Sequence, residues 1–87
     1  MALKVEIFEQ ADGVPFDRLT HIMLVTEMGF AREQMTKTLF ITNAGDAEAI
    51  QAANAKVAEI SGHQNVCHVQ VVAVKVPKVF EFSSLPA

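Results

Sequence analysis

The sequence predicts a small α+β or α/β two-layer sandwich, with two helices on one face of a single sheet. Two kinds of segment predict this fold: short runs that alternate apolar and polar residues, typical of strands, and longer runs with apolar residues at helical spacing. Their order is β-α-β-α-β, with a further strand at the end. Eighty-seven residues suit one domain, 1–87, of which 83–87 are expected to form a frayed tail.

Strands are predicted in three parts of the chain. Apolar and polar side chains alternate over residues 3–9, and the segment KTLFIT, 37–42, is a compact apolar strand. The run 66–76 forms a long strand that 79–82 continues. Because proline cannot donate a backbone hydrogen bond to a strand ladder, Pro77 predicts either a bend in one strand or a corner between two short ones.

A helix is predicted between Asp46 and Gly62. Asp46 is a suitable N-cap, Glu48 adds negative charge to the first turn, and Gly62 is a suitable C′ residue, just past the end of the helix. Between them one apolar stripe recurs at helical spacing, formed by Ile50, Ala53, Val57 and Ile60.

Residues 16–28 are open to two interpretations. Pro15 and Gly29 are typical of the start and end of a helix, and for that reason we favour a helix here. The segment THIMLVT, however, is rich in β-branched residues, which favour a strand. In that alternative the fold is a β-β-β-α-β meander with one helix.

The strand pattern also divides the sheet into two faces. Side chains at alternate positions, such as Ile41 and Val69, fall on the side that the helices cover. The opposite face retains apolar side chains, and a contiguous apolar patch of this kind typically marks an interface. Two-fold self-association is the commonest assembly, so we expect a homodimer. The predicted interface residues are Phe8, Phe40, His68, Gln70, Val72 and Val74.

Composition limits the classes of partner. The net charge is −3, and the seven basic residues are scattered, so no stripe of positive charge is available to follow a nucleic-acid backbone. The N-terminus lacks the apolar core of a signal peptide, and no apolar run reaches the ~20 residues of a membrane span. A single cysteine fits a reducing compartment. We therefore expect a cytoplasmic protein that binds neither membranes nor nucleic acid.

The segment SGHQNVCHVQ, residues 61–70, resembles a fragment of a metal site. Cys67 and His68 are adjacent on a predicted strand and therefore point to opposite faces, while His63 precedes the strand. A structural zinc site uses about four Cys or His ligands at characteristic spacings, which this segment does not have. We predict no metal, no cofactor and no catalytic residue.

A ligand site is an alternative at the junction of the second strand and the helix. Ligands often bind where a strand ends and a helix begins, and helix N-termini attract anions. The candidate residues are Thr42, Asn43 and Gly45, together with His21, a lone histidine in a mostly apolar segment. Asp12 and Asp17 are close enough in sequence to pair with His21.

Three functions follow in order of support. The first is a small oligomeric protein-interaction module without catalytic activity. The second is a binder of a small molecule or an anion, or a minor enzyme, with its site in 42–46 or at a subunit interface. The weakest is nucleic-acid binding, because the β-α-β-α-β order is loosely similar to that of domains of the Alba kind while the basic surface is lacking.

Overall fold

The structure, a computed structural model, describes residues 4–29, 33–62, 66–76 and 78–83. The fold is α+β: five antiparallel strands form one sheet in the order β1-β3-β2-β4-β5, and one helix packs on it. The elements are β1 (Glu6–Phe8), a 3₁₀ turn (Phe16–Arg18), β2 (Leu19–Met28), β3 (Gln34–Thr42), α1 (Asp46–Gly62), β4 (Val66–Ala73) and β5 (Lys78–Ser83).

The predicted helix over 16–28 is wrong, and so is the layout with two helices. After the single 3₁₀ turn the chain forms β2, the central strand of the sheet, which pairs with β3 on one side and β4 on the other. Alternate residues of β2 are buried from Leu19 to Val25, which is the period of a strand. Pro15 lies in the loop before the 3₁₀ turn, and Gly29 directly follows β2, where the chain turns towards β3. Neither residue marks the end of a helix.

The one-helix alternative describes the elements from β1 to β4 correctly, but it lacks β5 and has the wrong order in the sheet. A meander would place β2 between β1 and β3, whereas β1 pairs with β3, at Ile7 opposite Ile41. The β-α-β-α-β order, on which the likeness to Alba domains rested, is also not the one found.

The end of the chain forms a hairpin rather than a bent strand. After Ala73 the chain turns, and β5 runs back antiparallel along β4, with Val72 opposite Val79. The turn needs neither Gly nor Asn among its described residues, 74–76, and this explains why the hairpin is hard to recognise in the sequence. Pro77 lies outside the described residues. Ser83 is the last residue of β5, and the rest of the predicted tail also lies outside them.

The predicted helix is found as α1, but the expected N-cap Asp46 and the expected C′ residue Gly62 both lie inside it. Asp46 is its first residue, and the capping role belongs to Glu48, whose Oε1 accepts a hydrogen bond from the backbone N–H of Gly45 at 2.9 Å. The Gly45 carbonyl in turn accepts from the N–H of Ala49. The Glu48 contact is one half of a capping box, with glycine at the cap position, and the Ala49 bond is the first regular bond of the helix; the Asp46 carboxylate is left available for another contact.

The core lies between α1 and one face of the sheet. The helix packs mainly on β4, and it buries Ala49, Ala53 and Ile60. The sheet side of the core is formed by side chains from three central strands, supplemented by Phe80 and Phe82 of β5. The division into faces is confirmed for the predicted core positions of β3 and β4, which are all buried: Leu39, Ile41, Cys67, Val69, Val71 and Ala73.

Candidate functional site

A row of apolar side chains crosses the whole sheet on the face opposite α1. The strand registers place the five residues side by side, one from each strand: Phe8, Phe40, Ile22, Val72 and Val79, in sheet order. Cross-strand neighbours in direct register have Cβ atoms about 5 Å apart, so these residues are direct neighbours along one line across the sheet. They form what we call the apolar row.

Two further apolar groups extend the apolar row at its margins. The ring of Phe16, in the 3₁₀ turn, meets Phe40 edge-on at 6.2 Å between centroids, yet Phe16 is 58% exposed. Val74 follows Val72 by two residues and is 41% exposed. Its backbone N–H donates to the carbonyl of Thr20, which fixes the chain just beyond β4.

The next two rows of the same face are mostly polar, with Leu24 as their apolar member. Leu24 lies between Thr38 and Gln70, and Thr26 lies between Thr36 and His68. His68 Nε2 lies 3.5 Å from Oε1 of Glu81, and both side chains are about half exposed or more. The face thus combines one apolar stripe with a polar margin of low net charge.

The structure places the predicted interface residues as follows. Phe8, Phe40 and Val72 belong to the apolar row, while His68 and Gln70 belong to the polar rows beside it. Sequence reasoning missed Ile22, because its strand was interpreted as a helix, and Val79, because β5 was not expected to pair with β4. The signal for Ile22 was the alternation along β2, in which the even-numbered residues share one face.

One residue of the predicted ligand site, His21, belongs to a second cluster at the start of α1. His21 is 3% exposed, and its Nε2 lies 2.9 Å from Oδ1 of Asp46. Lys78 Nζ lies 3.6 Å from the other carboxylate oxygen. The hydrogen bond with His21, and to a lesser extent the positive charge of Lys78, hold the pKa of Asp46 below its usual value, although some desolvation opposes them. Asp46 is therefore the partner of His21, rather than Asp12 or Asp17.

The remaining candidates of that loop use their polar groups within the chain. Thr42 is fully buried, and its hydroxyl lies 3.5 Å from the Glu6 carbonyl. Asn43 adopts a left-handed conformation, with φ of 58°, and its side chain donates to the carbonyl of Lys4. The N–H of Gly45 is bound by Glu48. This arrangement joins the loop, the sheet and the helix, and it leaves few of these groups for a ligand.

The residues of the apparent metal motif do not converge. Cys67 is buried on the helix side of β4, while His68 projects from the other face, and His63 lies outside the described residues. Within residues 4–29, 33–62, 66–76 and 78–83, no group of three or more His, Cys, Asp or Glu side chains is arranged to hold a metal ion. In the same ranges, no helix has both the length and the apolar character needed to cross a membrane.

Comparison with protein-family models, with curated proteins and with solved structures found no match to this chain.

Proposed function

We propose that this protein is a small cytoplasmic interaction module that self-associates through the sheet face opposite α1. The observation that carries this proposal is the apolar row, which runs without a polar interruption across all five strands on a face that no described helix covers. The row is half-buried at Phe8, Phe40, Ile22 and Val72 and exposed at Val79, and a partly exposed apolar stripe bordered by polar side chains is typical of a protein interface.

The size of the face suits a second copy of the chain. The five strands contain 36 residues, which at about 4.8 Å between strands and ~3.4 Å per residue present roughly 590 Å² on one face. A standard stable interface buries about 800 Å² on each partner. The exposed ring of Phe16 and the side chains of the 74–76 turn add to the area of the sheet face and bring the total close to this value.

Symmetry also favours a second copy. A two-fold axis parallel to the apolar row places the row of one copy over the row of the other, so that each residue of the row faces its own counterpart. Two such sheets then pack face to face, as the layers of a β-sandwich do. The few charged groups nearby, such as Glu81 with His68, lie at the polar margin rather than at the centre.

The experiment compares two aspartate substitutions on β5. Val79→Asp puts a charge into the apolar row at a side chain that is 54% exposed, so the monomer tolerates it. Ser83→Asp puts the same charge on the same strand and face, next to His68 and away from the row. By sedimentation velocity, we expect Val79→Asp to abolish face-to-face association and Ser83→Asp to retain it. Equal association by both variants and the wild type would refute the proposal.

A further inference from the structure

A second surface lies at the edge of β3, away from the apolar row. The short strand β1 pairs with β3 only at Phe40–Thr42, so among the described strands the first part of β3 is paired on one side alone, with β2. Residues 34–37 are all exposed. Such an edge presents unpaired backbone N–H and C=O groups, to which another strand can add.

The helix side of this edge is also incompletely covered. A cleft of about 520 Å³ lies between the second half of α1, at Lys56 and Ile60, and the side chains of Met35 and Lys37 on β3. Met35 is 56% exposed there. A strand added at the edge of β3 would place its own side chains beside Met35 and enclose the open side of this cleft.

We propose that the β3 edge over residues 33–37 pairs antiparallel with the same edge of a second copy, with Met35 opposite its counterpart. The charges of the segment select both the partner and the register. In this register Glu33 of each copy lies opposite Lys37 of the other, so the two-fold axis creates two pairs of opposite charge. A register shifted to place Thr36 opposite itself would put Lys37 opposite Met35 and create neither pair.

Lys37 can leave its partner within the chain and pair with Glu33 of the second copy. Its Nζ lies 3.3 Å from Oε1 of Glu9 within the chain, and both side chains are more than half exposed. An exposed ion pair of this kind contributes little to stability, so Lys37 can share or change its partner at small cost.

The edge contact goes beyond the proposed function and does not depend on it. Its two-fold axis runs perpendicular to the sheet, so the apolar rows of the two copies lie on the same side of one extended sheet. If both contacts form, each copy has two partners and the assembly is larger than a dimer, whereas loss of either contact leaves a dimer. A variant of one surface therefore tests that surface alone.

The first test is a charge exchange, made in protein that carries Val79→Asp. Glu33→Lys sets lysine opposite Lys37 of the partner, and Lys37→Glu sets glutamate opposite Glu33. We expect each single change to weaken dimerisation about tenfold or more, and the double exchange to restore it to within about threefold. Sedimentation equilibrium measures the constants. Unchanged constants in the single variants, or no recovery in the double variant, would overturn the edge proposal.

The second test fixes the register. Residues opposite each other on paired strands have Cα atoms about 5 Å apart, which is within the range that a disulfide spans. Met35→Cys should therefore give a covalent dimer under mild oxidation. Gln34→Cys, one residue away and on the other face, should not. Cys67 is buried, so it does not contribute. Equal yields at both positions, or no covalent dimer of Met35→Cys, would contradict the register.

Discussion

His21 on β2 and Asp46 at the first turn of α1 form a hydrogen bond of 2.9 Å between Nε2 and Oδ1. The histidine is buried, whereas the aspartate is partly exposed, so the bond runs from the core to the surface. It joins the central strand to the start of the helix, 25 positions later in the chain. The other ring nitrogen, Nδ1, is buried and has no hydrogen-bond partner among the described residues.

The His21–Asp46 contact should contribute to stability. His21→Ala removes a buried side chain and a hydrogen bond to a charged group, so we expect a loss of about 2 kcal/mol or more in the free energy of unfolding. Urea denaturation measures the loss. The matched control is Thr26→Ala, on the same strand but on the opposite face, where the loss should be well under half as large. Equal losses in the two variants would show that the His21–Asp46 contact does not stabilise the fold in particular.

The same contact predicts that the stability of the fold depends on pH in the acidic range. The hydrogen bond with His21 lowers the pKa of Asp46 below its ordinary value of 3.8, so folding favours the charged carboxylate. The stability that results is present above the ordinary value and is lost as the pH falls through the lowered one. We expect wild type to exceed Asp46→Asn in stability at pH 6, with the difference shrinking as the pH falls below the ordinary value of 3.8. A difference that is constant with pH would contradict this assignment.

The start of α1 should depend on the carboxylate of Glu48. Because Glu48 accepts a hydrogen bond from the N–H of Gly45, Glu48→Ala should reduce stability by about 1 kcal/mol. Glu48→Gln keeps an acceptor oxygen and should recover most of that loss. Thermal unfolding followed by circular dichroism tests both variants. If the glutamine variant is no better than the alanine variant, charge rather than the hydrogen bond is responsible.

The left-handed conformation of Asn43 gives a further prediction. A residue with a Cβ atom, such as alanine, is strained at φ of 58°, whereas glycine is not. Both Asn43→Ala and Asn43→Gly lose the bond to Lys4, so their difference isolates the backbone strain. We expect the alanine variant to be less stable than the glycine variant by about 1 kcal/mol. Equal melting temperatures would mean that the loop relaxes to another conformation.

Local patterns predicted β1, β3, β4 and α1, because each shows its own alternation or helical stripe. They failed at β2 because the two ends of that segment, Pro15 and Gly29, also suit a helix. A polar residue, His21, occupies an inward position in β2 and interrupts the apolar alternation there. The residue that explains it, Asp46, belongs to another element, so no local pattern could reveal the pairing.

The sheet order was the other feature that sequence could not give. The apolar row depends on which strands are neighbours: Phe40 meets Ile22 only because β3 lies beside β2, and Val72 meets Val79 only because β5 folds back. Strand periodicity assigns a residue to a face but does not decide its cross-strand neighbours. For that reason the sequence indicated separate apolar residues, and the structure is needed to join them into one stripe.

Self-association through the apolar row is the central claim, and native mass spectrometry of the unmodified protein tests it most directly. Measured from low to high micromolar concentration, the protein should populate species of twice the mass of one chain or more, and Val79→Asp should remove the face-to-face step. A species of single-chain mass at every concentration, unchanged by Val79→Asp, would contradict the account.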